Sequence, residues 1–174
     1  NTQAVHESAE AVKKLWQEKE PWFCHFFFVE GQFKKHGADC PIAGLMALDM
    51  FSRMPSKPDE ELVHKAAEPL IYHKELGKSL YYFGRSKKFW SFKFPFVWYN
   101  ALYIADVFTR FPTLHKTALV DELIDWILNA QDNEGTWKAT SVFQMYKGFD
   151  FGQKKTPSGF ITYLCSRILK QRFG

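Results

Sequence analysis

The sequence predicts an all-α domain of three tandem helical hairpins, forming a single domain over residues 1–174. Three observations carry that prediction. Apolar residues recur at i, i+3, i+4 and i+7 through most of the chain. A proline stands at the head of every second apolar block. Long aromatic stretches separate the two members of each pair.

The first expected helix runs from about Glu7 to Lys19, with Val5, Ala9, Val12 and Trp16 on one face and Pro21 helping to stop it. The second opens at Pro41, with Asp39 as its cap, carries Leu45, Met46 and Leu48, and fades near Pro55. Asp59 caps the third, which passes through Leu62, Val63, Ala66 and Leu70 towards His73. Pro69 inside it must kink or divide the helix, because it removes a hydrogen bond and clashes with the preceding turn. Pro95 opens the fourth, Phe96 to Phe108. The fifth spans roughly Leu114 to Ala130 and packs Leu119, Leu123, Trp126 and Ile127. Pro157 opens the sixth, with Ile161, Leu164, Ile168 and Leu169 on its buried side.

These elements repeat. Seven residues after Pro41, Pro95 and Pro157 stand Leu48, Leu102 and Leu164. Upstream, Ala9-Glu10-Ala11-Val12, Ala67-Glu68-Pro69-Leu70 and Asp121-Glu122-Leu123-Ile124 fill matching places in the first helix of each pair. The loops within the pairs (22–40, 77–94 and 132–156) are long, and loops of that length often form functional sites. Alternation of Trp90, Phe92 and Phe94 with Ser91 and Lys93 suits a short extended segment with one wet face.

Composition narrows the functional classes. With 46% hydrophobic and 24% charged residues the chain reads as soluble and globular. Eighteen Phe, seven Tyr and six Trp exceed what a small helical core needs, which implies an aromatic core or a ring-lined cavity. The net charge of +4 is mild, and the pairs Lys34-Lys35, Lys87-Lys88 and Lys154-Lys155 form no single stripe, which argues against nucleic acid as a partner. No run of 18 apolar residues exists to span a membrane. Three cysteines without a CxxC pair read as reduced thiols, Cys165 as an apolar filler, and place the protein in the cytoplasm. The chain begins at Asn1 rather than Met, which suits a piece of a longer protein.

Gln131-Asp132-Asn133-Glu134-Gly135-Thr136-Trp137 follows the fifth helix directly. It resembles the QW motif of squalene and oxidosqualene cyclases, in which the Gln ties a helix end and the Trp stacks nearby. Gln131, Gly135 and Trp137 are its matching positions. With Cys40-Pro41-Ile42-Ala43, Phe92-Lys93-Phe94-Pro95, Trp98-Tyr99-Asn100-Ala101-Leu102 and Lys154-Lys155-Thr156-Pro157-Ser158, the chain from about Glu7 to Leu169 resembles the α/α toroid of terpenoid cyclases and protein prenyltransferases, closest to bacterial prenyltransferase-like proteins. The resemblance implies half of a ring, completed by residues outside this sequence, by a second copy as a homodimer, or by closing on itself. The family's DxDD and DDxxD motifs are absent. Its zinc triad has only an imperfect counterpart in Asp39, Cys40 and His36 or His25, and His25, His36, His64, His73 and His115 form no HxxxH pair, so the reading includes neither metal nor cofactor.

In such a toroid Pro41, Pro95 and Pro157 mark one rim, where helix N-termini offer amides and positive dipoles to an anion. Lys93, Lys154 and Lys155 precede two of these ends, and Arg85, Lys87 and Lys88 lie in the same class of loop. The plainer reading makes them solvated loop charges. Ligand-binding candidates are therefore Lys93, Trp98, Tyr99, Asn100, Tyr103, Lys154 and Lys155. Asp106 is the candidate catalytic acid, since a buried carboxyl needs a partner or a raised pKa; the plainer reading pairs it with Arg110 at i, i+4. These features favour a domain that binds an apolar, isoprenoid-class ligand without a recognisable catalytic motif. Two alternatives stay open: a helical scaffold for protein partners, and a transferase or cyclase whose motif lies elsewhere in a longer chain.

Overall fold

The computed structural model describes residues 2–17, 40–54, 58–76, 87–97 and 99–174. Among these residues are six α-helices and three short 3-10 turns, with no strand. The all-α expectation therefore holds. No helix among the described residues is long and apolar enough to cross a membrane. The chain divides into two compact units, Asn1–Leu76 and Gly77–Gly174.

The first unit holds α1 (Thr2–Gln17), α2 (Pro41–Phe51) and α3 (Glu60–Leu76). α1 begins earlier than its apolar pattern predicts, and Val5 is 71% exposed rather than part of a buried face. α2 is apolar on most sides, with Pro41 in its first turn as expected, and it packs against α3. Cys40 is its N-cap residue and makes no side-chain cap bond, while Asp39 lies outside the described residues. Leu45, Leu48, Phe51, Leu62, Ala66 and Leu70 are buried in this unit. The helices approach closely at Gly44, where a Cβ would sit 2.3 Å from the Ala66 carbonyl oxygen.

The expected cap of α3 is present, with Asp59 Oδ1 accepting a 2.8 Å bond from the Leu62 N–H. Pro69 does not divide α3, which is continuous from Glu60 to Leu76. A proline inside a helix costs about 3 kcal/mol. Burial of Ala66, Ala67 and Leu70 around it offsets that cost.

The second unit holds α4 (Ala101–Phe108), α5 (Ala118–Asn129) and α6 (Gly159–Phe173), with 3-10 turns at Pro112–Leu114, Gln144–Tyr146 and Asp150–Gly152. α4 packs on both α5 and α6. Its core includes Leu102, Phe108, Leu123, Ile127, Trp137 and Ile168. The threonine Thr109 reaches across to α6, its Oγ1 2.9 Å from Gln171 Oε1.

Two of the three helix-opening prolines require correction. Pro95 follows a cis Phe94-Pro95 bond and does not begin a helix. α4 starts at Ala101 because Asn100, extended at φ −141°, accepts the Tyr103 N–H on its side chain at 2.8 Å. Pro157 stands one residue ahead of Ser158, whose Oγ accepts the Ile161 N–H at 3.1 Å and so sets the start of α6. Likewise α5 starts at Ala118 behind a Thr117 cap rather than at Leu114, which ends a 3-10 turn. Capping chemistry fixes each start, whereas a proline's φ is merely compatible with a first turn. The matching leucines Leu48, Leu102 and Leu164 are all buried. They occupy different turns of their helices, however, so the repeat is one of burial and not of register.

Candidate functional site

The second unit presents an array of rings assembled from four stretches of chain. Residues 87–97 run beside residues 137–143, where the Thr140 N–H donates to the Phe92 carbonyl at 3.0 Å and Thr140 Oγ1 accepts the Phe92 N–H at 2.9 Å. This pairing sends Phe92 inward to stack on Trp126 of α5, with ring centroids 4.1 Å apart. The following residues turn outward. Phe94 meets Phe96, Phe151 and Phe160 at 5.3, 5.1 and 4.4 Å between centroids. Phe96 stacks on Tyr103 at 4.6 Å. Phe151 continues to Phe149 and Tyr146, and Tyr146 to Phe143. Phe160 continues to Tyr163 on α6.

Phe92 is buried, but none of the rings from Phe94 onward is, and Phe149 and Tyr163 are 57% and 56% exposed. The neighbouring Met145 is also exposed. At one end, the Lys93 ammonium lies 3.6 Å from the Phe143 ring centroid, a cation–π contact. Partial burial and the nearby Lys88 charge hold the Lys93 pKa below the usual lysine range.

Of the expected ligand-binding residues, Lys93 and Tyr103 join this array. Trp98 lies outside the described residues. Tyr99 is buried in the core. Asn100 is a cap, tied further by its Nδ2 to the Lys93 carbonyl at 3.3 Å. Lys154 and Lys155 are exposed on a loop that Gln153 folds, its Oε1 accepting the Lys155 and Thr156 N–H groups.

The expected anion seat at the Pro157 helix end is already filled. Asp150 Oδ2 accepts from Ser158 Oγ and from the Phe160 N–H, both at 2.8 Å, placing the chain's own carboxylate at the α6 N-terminus. Burial pushes the Asp150 pKa up, but the bonds from Phe160, Ser158, Phe151 and Gly159 outweigh it and the net shift is downward.

Asp106 is buried, and both of its carboxylate oxygens are engaged. Oδ2 accepts from Arg110, the i, i+4 partner expected from the sequence, and Oδ1 accepts from Arg167 Nη2 and Nε at 2.6 and 3.1 Å. Burial works against the Arg167 charge, yet the Asp106 carboxylate overrides it and raises its pKa. The triad ties α4 to α6 and leaves no carboxylate oxygen open to a substrate.

At the end of α5 the tie is Trp137 rather than Gln131. The Trp137 indole N–H donates to the Ile127 carbonyl at 2.7 Å from a buried position, whereas Gln131 is exposed. Gly135 takes φ +76° and closes the turn, as its place in the motif implied. Asp132, unremarked in the sequence, organises that turn by accepting from Glu134, Thr136 N–H and Thr136 Oγ1.

Phe143, Tyr146, Phe149, Phe151, Phe160 and Tyr163 were not singled out from the sequence. Their signal is the three-residue spacing of the first three within a loop already marked as long and aromatic. Among the described residues no three His, Cys, Asp or Glu side chains group to hold a metal, and His25, His36 and Asp39 lie outside them. A cleft of 490 Å³ opens beside the Phe92–Thr140 pairing, and one of 540 Å³ runs along the charged face of α3 in the first unit. A scan of family models, a search of curated proteins and a search of solved structures each found no match.

Proposed function

We propose that the chain binds an apolar ligand of the isoprenoid class, laid along the aromatic array with a polar or anionic end at Lys93, and that it does so without a catalytic group of its own. The observation that carries this reading is the continuity of the array: half-exposed rings from Phe143 through Tyr146, Phe151 and Phe160 to Tyr163 follow one another at 5.4–6.4 Å between centroids, with the Lys93 ammonium at the Phe143 end and the Arg167 guanidinium at the Tyr163 end. Rings with open faces gain from covering apolar carbon, at about 25 cal/mol per Å² removed from water. Arg167 at the Tyr163 end is already paired with the Asp106 carboxylate, so the Lys93 end is the one that suits an anionic head. The resemblance to the toroid of terpenoid cyclases and protein prenyltransferases supports the same ligand class. In that reading the hairpins are part of a half ring that other residues or a second copy completes.

Calorimetric titration with farnesyl and geranylgeranyl diphosphate tests the proposal. Binding is expected, with Phe149→Ala combined with Phe151→Ala weakening it about tenfold, the loss of roughly 1.4 kcal/mol of ring contact. Lys93→Ala should weaken the diphosphates but not farnesol. Absence of binding at every chain length sinks the idea.

The exposure of Met145, at 80%, favours a second reading in which the same face docks a protein partner. A protein that binds no prenyl compound, yet loses self-association or partner binding on Phe149→Ala, would fit that reading instead.

A further inference from the structure

The 490 Å³ cleft of the second unit lies outside the ring array and has a different chemistry. Its lining residues are Lys87, Lys88, Trp90, Ser91, Thr140 and Ser141. Two exposed ammonium groups, three hydroxyls and one indole stand in that wall, and none of its described residues carries a carboxylate. The volume falls within the range typical of small-molecule sites.

The wall is also fixed in place. Ser91 Oγ donates to the Lys88 carbonyl at 2.9 Å, and the Phe89 carbonyl accepts from both Ser91 and Ala101 N–H groups at 2.9 Å. Across the cleft, Thr140 is pinned to Phe92 by its N–H and its Oγ1. Because that oxygen serves as acceptor to Phe92, the Thr140 hydroxyl proton is left to donate elsewhere. Trp90 is held edge-on between Phe89 and Trp126, at 5.0 and 5.6 Å between centroids, so its indole is oriented before any ligand arrives.

We infer that this cleft is a binding site for a phosphate monoester of a ring compound, the phosphate held by Lys87 and Lys88 and the ring set against Trp90. Each part of the wall selects one part of such a ligand. Two ammonium groups match the roughly −1.5 to −2 charge that a phosphate monoester carries at neutral pH. An indole offers a flat apolar surface that stacks on a nucleobase or on a pyranose face. Hydroxyls beside it pair with ring hydroxyls or ring nitrogens. Inorganic phosphate has no ring to set against the indole, and an alkyl chain has no acceptor for the Thr140 hydroxyl proton. The inference is independent of the isoprenoid reading, because the ring array contributes no residue to the cleft.

Isothermal titration of the full chain with adenosine monophosphate, glucose 6-phosphate, inorganic phosphate, adenosine and glucose tests it. One of the ring monophosphates should bind at least about tenfold tighter than inorganic phosphate and than its own neutral parent, and which one does so identifies the ring. Lys87→Ala with Lys88→Ala should cost about tenfold or more, and both residues are exposed enough to leave the melting curve unchanged. Trp90→Leu should reduce the ring monophosphate to the affinity of inorganic phosphate. Phe149→Ala should change nothing, which separates this site from the array. Equal affinity for all anions, or binding indifferent to the double lysine substitution, overturns the inference.

Discussion

At the scale of single residues, two aspartates show how a carboxylate is put to structural use. Asp106 is buried between Arg110 and Arg167, and removing one member of such a group strands the charges that remain. Asp106→Ala should therefore destabilise the protein by about 3 kcal/mol, less than a fully dry triad would lose because Arg167 is partly exposed. Urea unfolding checks it, and a change below about 0.5 kcal/mol would contradict the structural role. Asp150 acts through its lowered pKa. A depressed folded-state pKa contributes stability above the unfolded value, near pH 3.9, and that stability is lost as pH falls through the folded value. Asp150→Asn should be less stable than the parent at pH 7, and the gap should narrow as the pH falls below the ordinary carboxylate range. A gap of equal size at pH 7 and below that range would show that the charge at the α6 end does not matter.

Among the elements, α2 and α3 turn on one close approach. Gly44 costs its helix up to about 1 kcal/mol of propensity relative to alanine. Gly44→Ala should nonetheless destabilise by about 2 kcal/mol, since its Cβ would meet the Ala66 carbonyl at 2.3 Å and the clash outweighs the propensity gain. Thermal melting gives the sign, and a stabilised variant would mean that the helices separate easily. The same elements show what the sequence made legible. Apolar spacing located α2, α3, α5 and α6, and Asp59 announced the start of α3. Pro95 and Pro157 misled because a proline at the first helical position is permitted rather than required, while Asn100 and Ser158 satisfy the free amides. The ring array was hidden for a different reason. Its members come from 94–103, 143–151 and 160–163, and no local period marks residues that meet only after the chain has turned back.

For the whole molecule, the division at Leu76 is the feature that periodicity did not reveal. Helical spacing reports which face of a helix is buried, not which helices share a core. The second unit carries its own apolar interior, from Leu102 to Ile168, and its own cross-ties. Residues 77–174 expressed alone should melt cooperatively with helical circular dichroism. A gradual, non-cooperative loss of signal would show that this unit depends on the first. Aromatic excess, read from the sequence as either core or cavity lining, divides between the two roles: Phe92, Phe108 and Trp137 are buried, while the rings around Phe149 remain half open.

Trp137 has a dynamic consequence for that unit. Its indole holds the last turn of α5, its N–H donates to Thr162 of α6 at 3.1 Å, and its carbonyl accepts the Ser158 N–H at 2.9 Å. One residue thus closes the end of one helix and the beginning of another. Neither end can fray without loosening the same clamp, so amides at the close of α5 and the opening of α6 should exchange with solvent in a single shared event.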